Sequence, residues 1–166
     1  MLKQILAFSE GVNKSVAEIV RGVSPFPFVR ESLEKASKHA DMIVVSATPG
    51  EALVREWNEH GLAKYMKVIA SQEMETKTQH IAYAKKERYD NYNVLKIGDA
   101  LGDLKAAKDN GVLFYPIIPG HEKGSWKRFY EEALDMFLSG KYQGEYENML
   151  IEEFKSYLPS IPPWKI

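Results

Sequence analysis

Apolar runs bounded by turn-forming residues alternate along this chain with stretches in which apolar positions recur every three or four residues. Four runs, at 42–45, 68–70 with its flanks, 94–97 and 112–118, are rich in β-branched or aromatic residues and read as buried strands. Between them lie helical patterns. Residues 27–39 put Val29, Leu33 and Ala36 on one face, and 50–60 set Leu53 and Trp57 one turn apart. Residues 78–87 and 103–110 keep the same period, the last with Asn110-Gly111 as a natural stop. Strands and helices in such alternation predict an α/β fold with a parallel sheet flanked by helices.

Beyond the last strand, Trp126, Phe129, Tyr130, Ala133, Leu134, Phe137 and Leu138 recur at three- and four-residue steps. They predict an amphipathic helix whose aromatic stripe packs into the core. A second helix is expected over 145–157 with Tyr146, Met149, Leu150 and Phe154 inward, before Pro159, Pro162 and Pro163 end the order. Near the start of the chain, Val12, Val16, Ile19 and Val20 also keep helical spacing.

Composition narrows the function classes. With 166 residues, 45% hydrophobic and 27% charged, the chain suits one compact domain and excludes a disordered tail. Lys plus Arg number 22 against 23 Asp plus Glu, so there is no electrostatic case for a nucleic-acid backbone or an anionic membrane as partner. The absence of cysteine removes disulfides, thiolate nucleophiles, zinc–thiolate sites and iron–sulfur clusters, leaving carboxylate, hydroxyl, amine and imidazole chemistry. The stretch at 5–8 is too short for a signal-peptide core, and no window approaches the roughly 18 apolar residues of a membrane helix. A soluble, cytoplasmic protein is the expectation. The histidines, His39, His60, His80 and His121, show no metal-ligand spacing and read as solvated, with His121 near the expected crevice.

Three places could carry chemistry. In Ile97-Gly98-Asp99-Ala100-Leu101-Gly102-Asp103 an apolar strand ends in Gly-Asp, and a second Asp four residues on opens a helix. The carboxyl ends of strands form the crevice of an open α/β sheet, and two carboxylates held close suit Mg²⁺. Gly98 would allow a close backbone approach and Gly102 a tight turn. The plainer alternative makes Asp103 a helix N-cap and Asp99 a turn residue. In Val45-Ser46-Ala47-Thr48-Pro49-Gly50 another strand delivers a hydroxyl, and the N–H groups that follow could hold phosphate oxygens; alternatively, Ser46 or Thr48 merely caps a helix starting near Pro49. Lys77 stands at the entry to a helix, where its charge opposes the dipole.

The order strand–Ser46, Lys77, strand–Gly98-Asp99-x-x-x-Asp103 resembles motifs two to four of the haloacid dehalogenase-like hydrolase superfamily, chiefly Mg²⁺-dependent phosphatases. Lys77 lies 31 residues after Ser46 and 22 before Asp99, room in each case for a helix and a strand. The resemblance covers about residues 25–121. It implies a Rossmann-like core over 25–166, phosphate binding by Ser46, Ala47, Thr48 and Lys77, and Mg²⁺ anchored by Asp99 and Asp103. Ser46 and Lys77 would be the catalytic positions and a small phosphate ester the substrate. A phosphoreceiver domain would order its acidic pair before the hydroxyl and the lysine last, and no P-loop motif is present.

The family's nucleophile is the first Asp of an Asp-x-Asp at the end of a first, central strand. This chain has no such pair upstream of Ser46. Residues 1–24 therefore read either as a helical cap remnant or as a degenerate first motif with Ser9 or Glu10 in place of the aspartates. On the first reading the chain is the C-terminal part of a longer hydrolase, and two exposed strand edges would favour self-association or complementation by the missing segment. A non-catalytic binding or regulatory module is the alternative function.

Overall fold

In a computed structural model that describes residues 2–19 and 22–158, short parallel strands alternate with helices from β1 to β4. The order is α1 (Leu2–Ile19), α2 (Val29–Ala36), β1 (Ile43–Val45), α3 (Gly50–Glu59), β2 (Val68–Ala70), α4 (Lys77–Lys85), β3 (Leu95–Gly98), α5 (Leu101–Asp109) and β4 (Leu113–Pro116). Then come α6 (Glu122–Arg128), a π-helical turn Phe129–Ala133, α7 (Leu134–Leu138) and α8 (Glu145–Ser156). Where the periodicity predicts one helix over 126–138, the structure has α6 beginning four residues earlier and a π turn before α7. The prolines at 159, 162 and 163 lie outside the described residues.

The strands form two separate parallel pairs. Ile43, Val44 and Val45 of β1 align with Val68, Ile69 and Ala70 of β2. Leu95, Lys96, Ile97 and Gly98 of β3 align with Leu113, Phe114, Tyr115 and Pro116 of β4. Among the described residues β1 and β3 are not paired with each other. The two pairs share a core nonetheless, for Met42 packs on the same cluster as Leu95 and Ile97.

Helices cover both faces of the β3–β4 pair. On one face Leu113, Tyr115 and Ile117 meet Phe129, Ala133, Leu134 and Tyr142, with the Tyr115 and Phe129 rings 4.9 Å apart. On the other, Phe114 and Ile118 meet Ile81 of α4, Leu104 and Ala107 of α5, and Phe154 of α8. Helix α8 turns Glu147, Leu150, Ile151 and Phe154 inward, the i, i+3, i+4, i+7 set, which leaves Met149 on the outer face at 53% exposure rather than inward. Gly111, at φ 64°, ends α5 where Asn110-Gly111 predicts.

The outer edge of β4 is closed. In a parallel ladder the N–H groups of alternate residues face opposite neighbours, and Leu113 and Ile117 donate toward β3. The positions facing outward are therefore Phe114, Pro116 and Ile118. The Phe114 N–H donates to the Glu147 carboxylate (2.9 Å), Pro116 has no N–H, and the Ile118 N–H donates to Ser125 Oγ (3.0 Å). The Tyr142 hydroxyl donates to the Phe114 carbonyl at 2.8 Å. Among the described residues no such plugs meet the free edges of β1 and β3, where the same alternation turns the backbone of Ile43, Val45, Leu95 and Ile97 away from the partner strand. Accordingly β4 is buried throughout, whereas β3, which carries the Gly-Asp motif, is half-buried at every residue. Glu147→Ala, which strands a buried N–H, is expected to cost about 1–3 kcal/mol in chemical denaturation, and Glu147→Gln, which keeps an acceptor, less.

Residues 4–8 are helical. They lie inside α1, where the degenerate first-motif reading expects a strand. A 3.6-residue apolar period sustained over 18 residues outweighs a four-residue apolar run. On the apolar side of α1, Leu2, Ile5, Leu6, Phe8, Val12 and Ile19 are exposed.

Candidate functional site

Strand β3 ends at Gly98, and α5 begins at Leu101, two residues before Asp103 rather than at it. The helix has Ala100 as N-cap without any side-chain cap, so Asp103 is not an N-cap; Gly102 lies in the first helical turn and makes no tight turn of its own. Placing Asp103 third in the helix aims its side chain back at the strand. A Cβ on Gly98 would come within 2.4 Å of the Asp103 Cβ and 2.9 Å of Oδ2, so only glycine admits this approach. Asp99 stands exposed at the carboxyl end of β3, and Asp103 is 2% exposed beneath it.

Helix α4 brings the lysine. Thr76 and Gln79 form a reciprocal capping box, a signal visible in the sequence as Thr-x-x-Gln, and it starts the helix at Lys77. From that first position the Lys77 ammonium donates to Asp103 Oδ1 at 2.8 Å, so a carboxylate answers the charge that opposes the helix dipole. A second cation, outside the motif pattern, joins them. Lys96, the strand neighbour of Phe114, lies on the face of β3 that α4 and α5 cover, and its ammonium reaches the same Oδ1 at 3.2 Å. Its side chain is only 13% exposed.

Burial and pairing pull these charges in opposite directions. Burial pushes the Asp103 carboxyl up, but the hydrogen bond from Lys77 and the charges of Lys96 and Lys77 outweigh it and hold the group below the usual carboxylate range. Burial drags the Lys96 ammonium below the usual lysine value, and Asp103 restores only part of the difference.

Ser46 sits apart from this cluster. At the end of β1 its hydroxyl donates to Thr48 Oγ1 (3.0 Å) and accepts from the Thr48 N–H (3.1 Å). Neither residue caps α3. Its N-cap is Pro49, and the Gly50 N–H donates instead to the Glu73 carboxylate at 3.1 Å. Ala47 is exposed beside them. Among the described residues no hydrogen bond or ion pair joins Ser46, Ala47 or Thr48 to Lys77, Asp99 or Asp103; the structure clusters the lysines with Asp103 and leaves the hydroxyl on the other strand pair.

The histidines divide. His80, one turn after Lys77, is buried rather than solvated, and neither ring nitrogen has a hydrogen-bond partner among the described residues. His121 stacks edge-on with Tyr157 at 4.9 Å beside a cavity of about 170 Å³ that Arg128 and Glu153 also line, away from the Lys–Asp cluster.

As a metal seat the two aspartates differ. Asp99 offers an exposed hard-oxygen donor of the kind Mg²⁺ takes alongside water and phosphate. Asp103 has one oxygen shared by two ammonium groups and the other turned onto Gly98. No group of three or more His, Cys, Asp or Glu able to hold a metal occurs among the described residues, nor does any helix there have the length and apolarity to cross a membrane.

A protein-family model described as haloacid dehalogenase-like hydrolase matches residues 2–117, a span that takes in Ser46, Lys77, Asp99 and Asp103 and stops short of α6, α7 and α8. Comparisons with curated proteins and with solved structures return no match.

Proposed function

The chain belongs to the haloacid dehalogenase-like hydrolases, and on that premise we propose that it supplies most of the core of a phosphohydrolase acting on a small phosphate ester. One observation carries the reading: Lys77 and Asp103, 26 residues apart in sequence, meet at 2.8 Å beside Asp99 at the carboxyl end of a parallel strand. That is where α/β sheets bind ligands, and a lysine there meets the need of phosphoryl transfer for charge stabilisation.

In this reading the Ser46 hydroxyl leaves Thr48 to hold a phosphoryl oxygen, with the N–H groups of Ala47 and Thr48 beside it. Lys77 lies between Asp103 and the ligand and offsets the negative charge gathered at the reacting centre. Asp99 is the residue that would hold magnesium, which when bound supplies further neutralisation of phosphoryl charge. The nucleophile comes from a strand carrying Asp-x-Asp, entering between the open edges of β1 and β3 and pairing with the backbone of Ile43, Val45, Leu95 and Ile97. The half-buried state of β3 supports such an insertion.

The test is to extend the chain at its start with an apolar strand ending in Asp-x-Asp and a flexible linker. Magnesium-dependent hydrolysis of a simple aryl phosphate, at least about a hundredfold above the unextended chain, is the expected result. The absence of any Asp-x-Asp in this sequence favours one other reading, a non-catalytic phosphate-binding module. An extended protein that folds and binds inorganic phosphate without turnover would establish that module, and one that binds no phosphate would overturn both.

A further inference from the structure

The residue left unexplained by that reading is Lys96. Its position on β3 faces α4 and α5, where Leu104 and Ile81 make an apolar layer, and a lysine there is costly to bury. Its ammonium contacts one carboxylate oxygen, Asp103 Oδ1, that Lys77 already engages, while the exposed Asp99 acts on it only through its charge. Two ammonium groups within 3.2 Å of one oxygen leave the trio with a surplus positive charge in a partly desolvated place. A divalent cation approaching Asp103 would face both ammonium groups at short range, where like charges repel. An anion would relieve the surplus.

We propose that Lys96 is a built-in cation of this site: it keeps Asp103 out of a metal's coordination shell and, with Lys77, gives the chain a fixed positive charge that takes a phosphate dianion without a divalent metal. The anion's identity rests on the phosphate-site reading; the exclusion of metal from Asp103 does not. Asp99 remains the one carboxylate of the pair open to a metal, and Lys96 acts as a positioning residue for Asp103.

Calorimetric titration of the chain as it stands separates the two parts, with MgCl₂ alone in one arm and inorganic phosphate in EDTA in the other. Lys96→Met is expected to bind Mg²⁺ about tenfold more tightly than wild type and phosphate about tenfold more weakly. Lys96→Arg should keep both wild-type affinities. Lys96→Gln, which keeps a donor and loses the charge, should follow Lys96→Met and serves if the methionine variant fails to melt cooperatively. Unchanged Mg²⁺ and phosphate affinities in the neutral variants would overturn the role of Lys96. A wild type that binds no phosphate, with neutral variants that still gain Mg²⁺, would uphold the exclusion of metal and defeat the phosphate-site reading instead.

Discussion

Asp103→Ala is expected to destabilise the folded chain by about 3–5 kcal/mol, as removal of one partner from a buried ion pair does. The cause is what it leaves behind. Lys77, with a third of its side chain exposed, can turn to water, whereas Lys96 at 13% exposure keeps a charge with no carboxylate in contact and only the exposed Asp99 to offset it. The double variant Asp103→Ala, Lys96→Met should therefore recover most of the loss, and urea denaturation of the four proteins gives the coupling directly. Additive losses would mean that Lys96 does not depend on Asp103.

The same carboxylate sets a pH signature. Its folded value lies below the unfolded one, so the stability it contributes is complete above the unfolded value, near pH 4, and drains away as pH falls through the folded value. The gap between wild type and Asp103→Ala should accordingly narrow in acid, below about pH 4.

The second large effect concerns turnover. In the strand-extended protein, Asp99→Ala should lower magnesium-dependent phosphatase activity by about 10²–10³-fold or more, the scale on which loss of one charge-stabilising group acts. Asp109→Ala is the control. Asp109 lies on the exposed side of α5, paired with Lys105 one turn away at 2.7 Å, an arrangement worth little on a surface. Equal losses in the two variants would refute the assignment of Asp99.

Much of the framework was legible because it rests on period and punctuation. The apolar runs that became β1 to β4 and the Asn110-Gly111 stop are local signals, and so is the Thr76–Gln79 capping box, which could have fixed the start of α4 one residue earlier. The Gly98-Asp99-x-x-x-Asp103 spacing located the carboxylates, yet their inequality depends on what approaches from elsewhere. Lys77 comes from another helix, and Lys96 from within an apolar run where a lone lysine reads as a solvated interruption. A lysine flanked by Val94, Leu95 and Ile97 could instead have been taken as inward-facing and in need of a carboxylate. The seal on β4 was out of reach, since Glu147 and Phe114 are 33 residues apart and nothing near either announces the other. Met149 was misplaced because it adjoins the inward set of α8 without belonging to it.

The seal on β4 also gives assembly a direction. A sheet with two receptive edges can recruit chain after chain and grow into a fibre, because each added strand re-creates the template that captured it. Here the far side of β4 offers no free amide at positions 114, 116 or 118, so growth by strand capture cannot proceed past it. Strand capture on the β3–β4 pair is thus one-sided, as a bolt is and a ratchet is not.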